Sequence, residues 1–352
     1  MKVLFLSKGL AVHRSVCGEG VYLDSESSHE FEVFDVVFSE KRVFNGCVRD
    51  FFQQNGVRGV CIAIGVFDGV HLGHQQVVKR MLQDARNYDS ARVVVTFDRH
   101  PKTVIPHAKP PLMITTLAHK LKLMESLGVD YTVLIPFDVE LSRLSGECFV
   151  KCLNREVGSI RSVSVGQNFL FGHNRQGSVE LLKEIGGRMG FSVNGINPVS
   201  LGGRTISSTR IREAIGGGDL EIASQMLGRE YSIFSRVVRG EGIGRRLGFP
   251  TANLDIRGLV LPPCGVYAAR VILRDKEYYG VLNLGYRPTV SARSSVLSCE
   301  VHLFDFSADI YSENIEVVFV EKLRDEKRFA SVDDLRSQIK ADIEGALRIF
   351  RG

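Results

Sequence analysis

A glycine-rich run ends in two histidines: Gly65-Val-Phe-Asp-Gly-Val-His-Leu-Gly-His74. It leaves an apolar stretch, CIAIGVF, that reads as a buried strand, and enters HQQVVKRMLQDARNY, an amphipathic helix. Three glycines let the backbone approach a triphosphate. The helix N-terminus adds free N–H groups and partial positive charge. His71 and His74 are three apart, so on a first helical turn they share a face. Both could donate hydrogen bonds to phosphate oxygens as charge moves toward a leaving pyrophosphate. No covalent nucleophile is needed, because positioning and charge stabilisation suffice for in-line phosphoryl chemistry. The spacing points to nucleotidyl transfer; the bland alternative is a turn with two incidental histidines. A zinc site is disfavoured, since no third ligand follows at suitable spacing. Farther on, Ile206-Ser-Ser-Thr-Arg-Ile-Arg212 opens a helix. Hydroxyls at a helix start plus an arginine make a second anion site, though alone the run is only a good N-cap.

A second loop carries four glycines, at 240, 242, 244 and 248, before Phe249-Pro-Thr-Ala-Asn253. The spacing is not that of a dinucleotide fingerprint opening a helix, and GK[ST] is absent. The backbone could still wrap phosphates, and Thr251 and Asn253 offer hard oxygens suited to Mg²⁺. The competing reading is a plain hairpin loop stiffened by Pro250. Glu300 lies in SCEVHLFDF, which alternates like a strand. A partly buried carboxylate there could take the proton of a primary alcohol attacking a γ-phosphate. An exposed strand glutamate is the alternative.

These residues need two kinds of scaffold. From Val60 to about residue 228, apolar strands alternate with helices, as in ARVVVTF, LAHKLKLMESLG, DYTVLIPF, ECFVKCLNREV and SVSVGQNFLFG. That order indicates a Rossmann-like, doubly wound parallel sheet. Beyond it come short alternating strands with Gly, Pro and Asn turns, the pattern of a small β-barrel, then a C-terminal helix capped by Ser331. The expected division is 1–45, an extension with no assignable role; 46–228, the α/β domain; and 229–352, the barrel.

Composition fits an ordinary globular enzyme. The chain has 352 residues, 44% hydrophobic and 24% charged, with net charge +5. No basic run suggests nucleic acid, and no apolar stretch is long enough to span a membrane. Seven scattered cysteines without a CxxC pair favour a reducing compartment, so a cytoplasmic protein is expected.

GVFDGVHLGH, TFDRHP at 96–101, MITTLAHKLKLMESLGVDYTVLIPFD at 113–138, VGQNFLFG at 165–172 and ISSTRIR resemble the adenylyltransferase half of bacterial bifunctional riboflavin kinase/FAD synthetases. GIGRRLGFPTANL, LPPCGVYAA, GVLNLGYRPTV and KLRDEKRF resemble that family's riboflavin kinase module. The resemblance implies a six-stranded Greek-key barrel after the nucleotidyltransferase domain. It implies ATP-dependent phosphorylation of riboflavin to FMN, then adenylylation of FMN to FAD with release of pyrophosphate, both with Mg²⁺. By that resemblance Gly65, Phe67, Asp68, Gly69, His71, His74, Ser207, Ser208, Thr209 and Arg212 hold the adenylyl-donating ATP. Asn168 and Phe171 lie near the nucleotide–flavin junction. In the barrel, Gly240, Gly242, Gly244, Gly248, Thr251 and Asn253 hold Mg·ATP, Glu300 is the catalytic base, and Phe249, Arg324 and Phe329 border the flavin. Partners are then riboflavin, FMN and ATP, with neither nucleic acid nor membrane, on a monomer or weak homo-oligomer. Asn168 stands where many members have aspartate, and Arg99 where proline is usual. Two alternatives stay open: a riboflavin kinase with a silent adenylyltransferase domain, and a non-catalytic flavin-binding regulatory module.

Overall fold

The structure, a computed structural model, describes residues 1–6, 30–35, 42–105, 108–288 and 295–351. By contact the chain forms two units: residues 1–111 with 120–207, and residues 112–119 with 208–352.

The first unit runs β1 (Lys2–Phe5), β2 (Glu30–Asp35), β3 (Arg42–Asn45), α1 (Val48–Gln54), β4 (Val60–Ile64), α2 (Leu72–Asn87), β5 (Ala91–Phe97) and α3 (Leu117–Ser126), whose first residues belong to the other unit. It continues with β6 (Tyr131–Ile135), α4 (Val139–Arg143), α5 (Gly146–Val157), β7 (Ile160–Gly166), α6 (Val179–Met189), β8 (Ser192–Ile196), β9 (Ser200–Leu201) and β10 (Arg204–Thr205). The main sheet has the order β3-β2-β1-β6-β5-β4-β7-β8. The six strands from β1 to β8 are parallel to their neighbours, while β2 and β3 add an antiparallel edge. All five residues of β4 are buried, as befits a central strand covered on both faces. Helices start where the sequence offers caps: Asp138, Ser145 and Ser178 each accept the N–H three residues on.

Within the expected N-terminal extension, β1 lies inside the sheet, parallel to β6, with Val3 and Leu4 fully buried. Residues 7–29 and 36–41 lie outside the described residues. By contact the main division falls at 207/208. The reason is packing: Gly218 abuts the Pro263 ring, and Met113 pairs by backbone with Gly258 and Val260 at 2.7 and 2.9 Å.

The second unit begins with α7 (Ser208–Gly217) and α8 (Leu220–Leu227). Then follow β11 (Ser232–Val238), α9 (Ile243–Leu247), β12 (Ala252–Leu254), β13 (Gly265–Leu273), β14 (Lys276–Pro288), β15 (Ser295–Leu303), β16 (Asn314–Arg324) and α10 (Val332–Arg351). The strands close into an antiparallel barrel, β11-β12-β15-β14-β13-β16. Because β12 lies beside β15 and not β13, the connection is of Greek-key type. Ser331 caps α10 by accepting the Asp334 N–H at 3.1 Å, as the sequence predicts.

Candidate active site

After Ile64 the chain turns through Gly65–His71 into α2. This is the point where strand order reverses, with β5, β6 and β1 on one side and β7 and β8 on the other. Open α/β sheets bind ligands at such switch points. A Cβ on Gly65 would press on the Phe67 ring at 3.0 Å, so a larger residue there would push the ring aside. Phe67 and Val70 hold φ of 54° and 43°, which costs bulky residues about 1–3 kcal/mol each. The surroundings fix the turn. Phe67, Asp68, Val70 and His71 are buried, and the Val66 carbonyl accepts from Thr96 Oγ1 at 3.2 Å and Lys120 Nζ at 3.3 Å.

His71 is the N-cap of α2: its Nδ1 accepts the His74 N–H at 3.3 Å. An accepting ring nitrogen carries no proton, so this bond assigns the His71 proton to Nε2, a donor. The two imidazoles stack, with centroids 3.6 Å apart and planes 18° apart, and Phe67 stands edge-on to His74 at 5.3 Å. Gly73 permits the stack, since a Cβ there would press on the His71 ring at 3.1 Å. Burial first, then the neighbouring His71 and Lys120, hold His74 well below the ordinary imidazole range. It is therefore neutral at pH 7. The pair supplies donors at a helix N-terminus without adding full positive charge.

The charge comes from Lys120, which the sequence reading missed. LAHKLKLMESLG gives no sign that Lys120 differs from Lys122. Yet Lys120 is buried, and burial lowers its pKa to about 8, with Asp68 and Asp98 opposing. The departure at Arg99 also lands here: its guanidinium holds one Asp98 oxygen at 2.8 and 2.9 Å, while the other accepts the Phe137 N–H.

The other expected residues of this half fall differently. Ser207 ends the first unit; Ser208, Thr209 and Arg212 stand on the opening turns of α7 in the second, where Arg212 Nε donates to the Leu112 carbonyl at 2.6 Å. Asn168 is exposed just past β7. Phe171 is buried: its ring stacks with Phe169 at 5.4 Å and packs near Phe149 at 6.1 Å. Phe169, half-buried, packs against the same core.

In the barrel the sequence constellation assembles. Thr251 Oγ1 donates to Glu300 Oε2 at 2.9 Å. Asn253 on β12 is the register partner of Glu300 on β15, and Asn283 on β14 is its partner on the other side. Asn283 was not singled out from sequence; only strand register brings it there. The glycines of the preceding loop have packing reasons. A Cβ on Gly240 would collide with the Asn253 side chain at 2.4 Å. One on Gly244 would meet the Phe249 carbonyl at 2.4 Å and the Thr251 side chain at 3.2 Å. Gly242 and Gly248 hold φ of 69° and 92°. Beside Thr251 lies a cavity of about 310 Å³, walled also by Arg245, Phe306, Asp309 and Tyr311. Phe249 stands edge-on to His302 at 5.9 Å. Arg324 is locked in a two-pronged pair with buried Asp342 on α10 at 2.7 and 2.8 Å, and its guanidinium lies 5.8 Å from the Phe329 ring. No cluster of three or more His, Cys, Asp or Glu suited to a metal exists among the described residues.

A histidine turn at a helix N-terminus on a parallel sheet, joined to a barrel carrying a threonine–asparagine–glutamate group, defines a two-module nucleotide-dependent transferase. Residues 53–210 match the FAD synthetase family and residues 227–350 the riboflavin kinase family. The chain is 38% identical over 305 residues to the bifunctional riboflavin kinase/FMN adenylyltransferase of Haemophilus influenzae, covering 86% of this chain and 98% of that one. The Escherichia coli K12 protein of the same description is 38% identical over 299 residues, covering 85% and 95%. A solved Streptococcus pneumoniae structure, described as a macrolide-efflux protein, shares the fold with TM-score 0.69 and 30% identity over 83% of this chain and 95% of that one. The chain belongs to the bifunctional riboflavin kinase/FMN adenylyltransferase family.

Proposed function

We propose that the barrel phosphorylates the ribityl 5′-hydroxyl of riboflavin with ATP, and that the α/β domain then joins the resulting FMN to AMP. The observation that carries the reading is the contact between Thr251 and Glu300 at 2.9 Å, with Asn253 in register beside them. A carboxylate so placed can accept the hydroxyl proton as that oxygen bonds to the γ-phosphorus and the bond to ADP breaks. Thr251 Oγ1 and Asn253 Oδ1 are hard neutral oxygens. They fit Mg²⁺, which commonly takes its remaining ligands from phosphates and water and would offset phosphate charge when bound. The cavity beside Thr251 suits the rest of the nucleotide, and Arg324 with Phe329 suits the flavin ring.

In the α/β domain an FMN phosphate oxygen attacks the α-phosphorus of ATP, and pyrophosphate leaves. His71 and His74 donate to its oxygens, helped by the N-terminus of α2. Gly65, Phe67, Asp68 and Gly69 shape that turn, and Ser207, Ser208, Thr209 and Arg212 are proposed to hold the remaining phosphates. Asn168 is proposed to meet FMN. The kinase group comes from one chain, so that step needs no second copy. The proposed setting is the cytoplasm, which supplies ATP.

Incubating the purified chain with riboflavin and Mg·ATP, then separating products, tests this. FMN followed by FAD is expected. No FMN would reject the kinase assignment; FMN without FAD would mean that the α/β domain is silent.

A further inference from the structure

The histidine turn is pinned by a node of four groups. The Lys120 ammonium donates to the carbonyl of Val66 at 3.3 Å, to Thr96 Oγ1 at 3.0 Å and to the carbonyl of Phe97 at 2.9 Å. Thr96 Oγ1 itself donates to Val66 O at 3.2 Å. All three Lys120 N–H donors are therefore used within the protein. Val66 is the last residue before the turn's first positive φ, and Phe97 is the last residue of β5. The node thus ties the entry of the turn to the neighbouring strand.

An unpaired buried ammonium is costly, and a chain that needed only packing at this place would use leucine or methionine. The groups facing Lys120 are Asp68 from the turn, Asp98 from beyond β5 and His74 from α2. We infer that Lys120 is a positioning residue for adenylyl transfer, which fixes the Val66–His71 turn through the Thr96 bridge and places a positive charge under the stacked histidines. It does not touch the nucleotide. It acts by holding His71 and His74 where their donors meet the departing pyrophosphate, and by keeping His74 uncharged. The inference rests on the assignment of the histidine turn to adenylyl transfer.

Three variants separate the possibilities: Lys120→Met, which keeps length and removes donors and charge; Thr96→Val, which removes the bridge and keeps the charge; and His74→Ala. Each is assayed for FAD formation from FMN and, as an internal check on folding, for FMN formation from riboflavin. Lys120→Met should lower kcat for FAD formation about a hundredfold, as a misplacement near 1 Å does, with KM for ATP little changed. Thr96→Val should lower it about tenfold, the worth of one such bond. FMN formation should stay within about twofold in both, since neither residue belongs to the kinase group; that margin is a small fraction of the tenfold effect sought. The pH profile carries the charge. Since Lys120 gives up its proton near 8, wild-type FAD formation should decline above about that pH, and Lys120→Met should lack that limb while Thr96→Val keeps it. Full FAD formation in Lys120→Met, or the same alkaline limb in that variant, would overturn the inference. If His74→Ala retains FAD formation, it is the assignment of the turn that fails. If Lys120→Met loses both activities together, the residue is structural only, and the inference is again overturned.

Discussion

The two proposed sites have opposite electrostatics. In the α/β domain the donors are uncharged imidazoles, stacked 3.6 Å apart, and the full positive charge is withdrawn beneath them on a buried lysine. In the barrel the half-exposed Glu300 carboxylate accepts from Thr251 and stands in register with Asn253. Under the proposed assignment the difference follows from the reactions. An FMN phosphate is already a nucleophile and needs no base, so that site is built to receive leaving-group charge. An alcohol must lose a proton, so the other site carries a base. The scaffolds differ to match. A helix N-terminus at a parallel-sheet switch point offers N–H groups, whereas adjacent antiparallel strands set side chains in register.

The comparison breaks most sharply at Glu300. Glu300→Gln keeps the shape and removes the base, so FMN formation should fall by about 10²–10⁴-fold. FAD formation from supplied FMN should persist, and steady-state assays of both steps measure it. His74→Ala is the mirror experiment. Losing one transition-state donor should slow FAD formation about a hundredfold, near 3 kcal/mol, and spare the kinase. Equal loss of both steps in either variant would mean that the substitution unfolds the chain.

Gly244→Ala sharpens the barrel half. The new Cβ would meet the Phe249 carbonyl and displace Thr251 from Glu300. A fall in FMN formation of about tenfold is expected, corresponding to one displaced hydrogen bond. The smallest effect is thermal. His74 is depressed below its unfolded value near 6.5, so its contribution to stability is present above that pH. As pH falls below about 6.5 the unfolded chain gains a proton that folded His74 refuses, and stability drops. His74→Gln should flatten the acid side of a melting-temperature profile by about 2–4 °C. An unchanged slope would show that His74 is charged in the fold.

Both constellations were legible because their chemistry is local or periodic. GVFDGVHLGH carries its own strand, turn and helix, and SCEVHLFDF alternates in a way that sets Glu300 on one face. What stayed hidden depended on distance along the chain. Lys120 looks like its surface neighbour until α3 packs against the turn. Asn283 meets Glu300 only through the pairing of β14 with β15. Lys2–Phe5 is too short to announce an interior strand without its partner at Tyr131–Leu134. The packing of Phe171 against Phe149 and Phe169 is likewise not visible in its local sequence.

The separation of the two sites is tested most directly by complementation. Glu300→Gln and His74→Ala are each incubated alone, and then together, with riboflavin and Mg·ATP, and FAD is measured. Neither variant alone should make appreciable FAD. The mixture should make it, because FMN released by the kinase of one chain is adenylylated by the other. A mixture that accumulates FMN but no FAD, or a single variant that makes FAD at the wild-type rate, would contradict the assignment of Glu300 to the first step and His74 to the second.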